Sequence, residues 1–252
     1  MSDPLDFSGQ VVLVTGGTRN IGRAIADRFA AAGATVVVCG RNDPGGLGPL
    51  AFVPADVRDA DAVAGLVERI VAEHGRLDVA VNNAGGSPPA EAATASPRFH
   101  EKIVALNLLA PFHVSQAANR VMQDQAGGGV IVNIGSVSGL RPSPGTAAYG
   151  AAKAGLANLT RTLAMEWAPK VRVNMVTPGL IRTDDAPLHY GDEAGVDRVA
   201  ASVPLGRMGE PDDIADACLA LASPLCRFAS GASLVLDGGG EWPPFLAAKE
   251  SQ

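Results

Sequence analysis

Short apolar runs alternate with amphipathic stretches along the whole chain. Gln10–Thr15 reads QVVLVT, a β-branched run of the kind that forms a strand buried on both faces. After GGTRNIG, the segment RAIADRFAAAG carries apolar residues at helical spacing and closes on Gly33. TVVVCG predicts a second strand and LAFVPADV a third. Between them, RNDPGGLGPL is too short and too rich in Gly and Pro for a helix. A loop is expected there, leaving that edge of the sheet less covered. Asp59–His74 then reads as an amphipathic helix, capped by Asp59 or Asp61 and closed by His74. LDVAVNNAG predicts a fourth strand, Pro97–Met122 a long helix, VIVNIGS a fifth strand and Tyr149–Trp167 another helix. VRVNMVTPG predicts a sixth strand, followed by a polar stretch through Pro204. Glu210–Ala222 reads as a helix and ASLVLDGG as the last strand.

This alternation predicts an α/β fold: a parallel sheet of about seven strands with helices on both faces, doubly wound in the Rossmann manner. No linker or shift of composition divides it, so one domain over residues 1–252 is expected. Ligands of such sheets bind outside the carboxyl ends of the strands. The unusual polar residues fall there: Gly16–Gly22, Arg41, Asp56, Asn82–Gly85, Ser136 and Pro178–Thr183.

The opening strand–turn–helix–strand is the unit that holds a dinucleotide, with the pyrophosphate on the free N–H groups of the helix N-terminus. A T-G-x-x-x-G-x-G turn would place glycine at position 20, where this chain has Asn20 between Arg19 and Ile21. Asn is among the few residues that tolerate positive φ, so the turn survives, with Asn20 close enough to press on the cofactor or donate to it. An acidic residue at the end of the second strand would bind the ribose hydroxyl of NAD. Here Gly40 and Arg41 stand in its place. Arg41 and Arg19 offer two guanidinium groups to a 2′-phosphate, which points to NADP(H) over NAD(H).

Composition narrows the partners. The 252 residues are 47% hydrophobic with a net charge of −6, which disfavours a nucleic-acid backbone. MSDPLDFSGQ lacks a basic region followed by an apolar run, and no apolar segment approaches ~20 residues, so neither a leader nor a membrane span is expected. Cys39, Cys218 and Cys226 read as buried reduced thiols of a cytoplasmic protein. His100, His113 and His189 show no metal-ligand spacing, and no metal site is expected. Adjacent Asp184 and Asp185 read as a solvated loop. No Gly-x-Ser-x-Gly elbow supports a serine hydrolase.

The candidate chemistry lies in SVSGLRPSPGTAAYGAAK. Tyr149 and Lys153 are four apart, on one face of a helix. An ammonium beside a phenol favours the phenolate, which would lower the Tyr149 pKa and make it a proton donor or acceptor. Ser136 follows the fifth strand. In the long helix, Pro111 has no N–H for the carbonyl of Asn107, four residues back. Either this is only a kinked core helix, or the carbonyl holds a water connecting Lys153 to solvent.

In TGGTRNIG, Asp56-Val57, NNAG at 82–85, Asn107, Ser136, YGAAK and Pro178-Gly179, the chain resembles the short-chain dehydrogenase/reductase family over nearly its whole length. Its ending, from RMGEPDDIADACLALAS to GASLVLDGGG, is similar to the 3-oxoacyl-acyl-carrier-protein-reductase-like branch. The resemblance implies Tyr149 as general acid/base, Lys153 on Tyr149 and the nicotinamide ribose, Ser136 on the substrate oxygen, and Asn107 in a water-linked proton relay. It implies a cofactor lining of Gly16, Thr18, Arg19, Asn20, Ile21, Gly22, Gly40, Arg41, Asp56, Val57, Asn83, Ala84, Gly85, Ile134, Pro178, Gly179, Ile181 and Thr183. The implied reaction moves a hydride between NADPH and a small-molecule carbonyl or alcohol, in a homotetramer. The alternative is a non-catalytic NADP-binding sensor of the same fold, which would not need the Tyr–Lys pair. Substrate selection would fall to a lid over Thr183–Pro204, with Leu188, His189 and Tyr190 in contact, and to walls at Arg141–Thr146 and Ser87–Thr94. A carrier-protein substrate would favour a basic patch, which the sequence does not show.

Overall fold

The computed structural model describes residues 3–184, 186 and 190–243. Seven parallel strands form one sheet in the order β3-β2-β1-β4-β5-β6-β7. They are β1 (Val11–Thr15), β2 (Thr35–Gly40), β3 (Ala51–Pro54), β4 (Val79–Asn82), β5 (Gly129–Ile134), β6 (Val171–Pro178) and β7 (Ser233–Leu236). β1 pairs with β2 on one side and β4 on the other, so strand order reverses there and a crevice opens at the carboxyl ends.

Both faces of the sheet are covered, which is why the central strands read as unbroken apolar runs. On one face, α1 (Asn20–Ala31) and α7 (Pro211–Ala222) bury Ile25, Phe29 and Ile214 against Val12, Val14 and Val38. On the other, α2 (Ala60–His74) and α4 (Ala110–Asp124) bury Leu66, Ile70, Val114 and Met122 against Leu13, Val37 and Ile131. α3 (Pro97–Val104) precedes α4, and α5 (Ala147–Glu166) and α6 (Glu193–Ala201) complete the helices of eight or more residues among the described residues. Asp59, not Asp61, caps α2: its carboxylate accepts from the Asp61 and Ala62 N–H groups at 3.0 and 3.2 Å.

Four expectations change in detail. The polar stretch ending at Pro204 contains α6, capped by Asp192, which accepts from the Gly195 N–H at 2.9 Å. Residues 41–50 hold no helix, as expected, but the sheet edge is not bare, because the loop turns Leu47 and Leu50 into the core at 7% and 6% exposure. The long helix runs to Asp124 but shifts ladder over Ala105–Leu109, where the Ala110 N–H bonds the Ala105 carbonyl five residues back. Pro111 supplies the reason: it cannot donate to the carbonyl of Asn107, and a wider turn accommodates that loss. Cys39 and Cys218 are buried, whereas Cys226 is only partly so. Burial pushes the Cys39 thiol up to about 12 and raises Cys218 as well. No helix among the described residues is long and apolar enough to cross a membrane.

Candidate functional site

The crevice at the strand ends is a cavity of about 540 Å³, lined on one side by the turn after β1 and on the other by Ser136, α5 and the segment after β6. Its floor is tied at the point where strand order reverses. The Thr15 hydroxyl accepts from the Asn83 and Ala84 N–H groups, both at 3.0 Å, and donates to the Val81 carbonyl at 3.3 Å. The Asn83 amide donates to the carbonyls of Thr15 at 3.0 Å and Gly16 at 3.2 Å. These bonds explain Gly22: a Cβ there would lie 2.2 Å from the Gly16 carbonyl and 2.3 Å from Asn83 Nδ2. The helix N-terminus therefore reaches the floor only without a side chain. Asn20 holds φ +50, as the turn requires. Its Oδ1 accepts from the Asp184 N–H at 3.2 Å, so the side chain is engaged with the segment after β6.

One end of the cavity is open and charged. Arg19, Gly40, Arg41, Asp56, Val57 and Arg58 line it. Arg58 is the residue that motif reasoning missed. Its Nε donates to Asp56 Oδ1 at 2.9 Å and its Nη2 to Oδ2 at 2.5 Å. Those bonds hold the Asp56 carboxyl down at about 2, with Arg41 adding a smaller pull in the same direction. The available signal was Asp-x-Arg directly after a strand, where the carboxylate and guanidinium fold onto each other.

The other end is built around a buried lysine. Ile134, Ser136, Tyr149 and Lys153 line it, with Gly85, Gly86, Leu106 and Tyr190. Lys153 is 3% exposed, and its Nζ donates to the Ile134 carbonyl at 2.8 Å. Burial lowers its pKa to about 8. The ammonium sits 5.6 Å from the centroid of the Tyr149 ring. The Ser136 hydroxyl hydrogen-bonds the Tyr149 phenol and accepts from the Ser138 N–H at 3.1 Å. The expected lowering of the Tyr149 pKa is not what this geometry gives. Burial raises it, the Ser136 bond opposes that rise, and the nearby Tyr190 phenol adds to it. With Nζ committed to the Ile134 carbonyl, the phenol gains less from the ammonium than it loses by leaving water.

Asn107 stands behind this end, fully buried in the wide helical turn. Its Oδ1 accepts from the Gly86 N–H, and its Nδ2 donates to the carbonyls of Gly86 and Ile103, all at 2.9 Å. Asn107 thus clamps the loop after β4. Gly85 is kept bare by the same neighbours, since a Cβ there would lie 2.8 Å from Asn107 Oδ1 and 3.3 Å from Lys153 Nζ.

Every residue expected to line a cofactor site, Pro178, Gly179, Ile181 and Thr183 included, lines this one cavity. Asn107 reaches it through the Gly86 loop. The two expected walls meet each other, with the Ala90 N–H on the Gly145 carbonyl at 2.8 Å, but they sit at the rim and do not line the cavity. Arg141 in that rim pairs with Glu241. Tyr190 lines the cavity, while Leu188, His189 and Asp185 lie outside the described residues.

With this geometry in hand, similarity to known proteins is informative. A family model described as enoyl-(acyl carrier protein) reductase matches residues 16–241. The 3α-hydroxysteroid dehydrogenase of Mediterraneibacter gnavus is 37% identical, over 92% of this chain and 97% of that protein. The 3-oxoacyl-[acyl-carrier-protein] reductase FabG of Escherichia coli is 36% identical, over 93% of this chain and 98% of that protein. Among solved structures, the ligand-free aldohexose dehydrogenase of Thermoplasma acidophilum superposes with a TM-score of 0.89 at 32% identity, covering 93% of this chain and 94% of that one.

Proposed function

The chain belongs to the short-chain dehydrogenase/reductase family, and from that premise we propose that it interconverts a ketone or 3-oxoacyl-type carbonyl and its alcohol with NADP(H). That it is an oxidoreductase of this family follows from the same matches. The proposal concerns the cofactor preference, the substrate class and the residues that act. The observation that carries it is that one cavity joins a Ser136–Tyr149–Lys153 group at one end to three arginines at its open end.

The residues present fit a dinucleotide. The turn after β1 lines the cavity from Gly16 to Gly22, and α1 begins there with its free N–H groups. Arg19, Arg41 and Arg58, the last already holding Asp56, suit a ribose carrying a 2′-phosphate. When bound, the nicotinamide supplies or accepts the hydride. The chain's own residues manage the oxygen and its proton. Ser136 holds the substrate oxygen beside the Tyr149 hydroxyl. Tyr149 gives that oxygen a proton in reduction and takes one in oxidation. Lys153, with a pKa lowered to about 8, can exchange a proton near neutral pH. The water-linked proton relay through Asn107 that the resemblance implies is part of this reading.

The relatives' names cover a steroid, an acyl chain on a carrier protein and an aldohexose. The reaction class is common to them and the substrate is not. A homotetramer in the cytoplasm completes the reading. The β7 edge, with Leu234 and Val235 partly exposed, is an unpaired strand of the kind that subunits cover.

The test is a panel of ketones, 3-oxoacyl thioesters, hydroxysteroids and sugars, followed by nicotinamide absorbance with NADP(H) and NAD(H). Turnover of a panel member with NADPH is expected. Tight NADPH binding with no turnover across the panel would favour the sensor.

A further inference from the structure

Asn20 is the one non-glycine residue with positive φ among those described, at +50. Glycine would meet that need without steric cost. The asparagine side chain does something glycine cannot. Its Oδ1 accepts from the Asp184 N–H at 3.2 Å, across 164 positions of sequence. Because Asp184 presents an N–H, the facing atom must be the amide oxygen.

The bond joins two opposite walls. Asn20 opens α1 at the end of the turn after β1, and Asp184 directly follows Thr183, a lining residue of the segment after β6. In the sheet, β4 and β5 lie between β1 and β6. At about 4.8 Å per strand, the two walls start roughly 14 Å apart. The bond therefore arches over the ends of β4 and β5, where Gly85 and Ser136 stand. Behind Asp184 the segment is already pinned. The Gly209 N–H bonds the Leu180 carbonyl at 2.9 Å, and the Arg182 N–H bonds the Gly209 carbonyl at 2.8 Å. Asp184 thus lies two residues beyond a fixed root, and its amide is held by Asn20.

We propose that Asn20 is a positioning residue that latches the segment after β6 onto the turn after β1, so that opening this segment and releasing the dinucleotide break the same hydrogen bond. This rests on the reading of the cavity as a dinucleotide site. In that role, position 20 sets the residence time of the cofactor.

Two variants test it. Asn20→Gly keeps the positive φ and removes the acceptor. Asp184→Pro removes the donor and leaves the turn intact. In the ligand-free protein, hydrogen exchange of the peptide carrying the Asp184 amide should be about three- to tenfold faster in Asn20→Gly, the worth of one neutral hydrogen bond. NADPH release followed by stopped-flow fluorescence should accelerate by a similar factor in each variant. The double variant should release no faster than the faster single one, since both remove the same bond. Unchanged exchange or release in Asn20→Gly, or effects that multiply in the double variant, would overturn the latch. If the wild-type protein bound neither NADPH nor NADH, the dinucleotide reading would fall, and the exchange measurement would still decide whether Asn20 holds the segment.

Discussion

The two ends of the cavity are built on opposite principles. At the open end, Arg19, Arg41 and the Asp56–Arg58 pair keep their charges near solvent. Such groups attract an anion, cost little to leave empty, and are worth modest energies individually. At the lysine end, Lys153 and Asn107 are buried, and each is bonded to a named backbone partner. Burial there moves the titrations of Tyr149 and Lys153, upward for the acid and downward for the base. On the proposed reading, the open end can be varied to change which dinucleotide binds, whereas the lysine end holds a single arrangement whose parts fail together.

That contrast is sharpest in stability. The folded pKa of Lys153 lies below its ordinary value of 10.5, so the unfolded chain binds more protons between about pH 8 and 10.5. The Lys153 contribution to stability is consequently unfavourable below pH 8 and recovers as pH rises to 10.5. Relative to Lys153→Met, the ligand-free wild type should gain about 3 kcal/mol across that window, read by urea denaturation. A constant difference would mean that the ammonium is not desolvated. Next in size, Gly85→Ala places a methyl against Asn107 Oδ1 and Lys153 Nζ. Turnover should fall about 100-fold with the fold retained by circular dichroism, as expected of a small displacement at reacting groups. Wild-type turnover in that variant would show the lysine end to be less tightly specified than its contacts indicate.

At the open end the effects are smaller and selective. Arg41→Ala should weaken NADPH about tenfold by calorimetry, with NADH unchanged. Equal losses for both would remove the reading of this end as a 2′-phosphate site. Arg58→Ala should cost NADPH only a few-fold, because Arg58 is shared with Asp56. It should also return the Asp56 carboxyl from about 2 toward its ordinary value of 3.8, measured by NMR titration.

Sequence made the two ends unequally legible. β1, β4 and β5 were readable because strands covered on both faces carry unbroken apolar runs, and the residues placed at their ends fell in one cavity, except Gly17 and Asn82, which face the core. Helical spacing put Tyr149 and Lys153 on one face of α5, but only the strand-end cluster and the family motifs singled the pair out. The sign of the Tyr149 shift was not, since it depends on how much water folding removes and on Nζ turning to Ile134. Pro111 announced a fault in the long helix, but the wide turn and the Asn107 clamp on Gly86 required the position of another loop. Leu47 and Leu50 looked like loop residues until the sheet edge was there for them to cover. Arg58 and the Asn20–Asp184 bond were out of reach for a related reason. The first needed the local fold of Asp-x-Arg, and the second joins residues 164 apart.

The most direct test of the division between the two ends is the single-turnover rate of Tyr149→Phe at saturating NADPH, on a substrate found by the panel. If Tyr149 is the acid/base, hydride transfer should slow by about 10²–10⁴-fold while NADPH affinity stays at the wild-type value. A wild-type rate in Tyr149→Phe would contradict it.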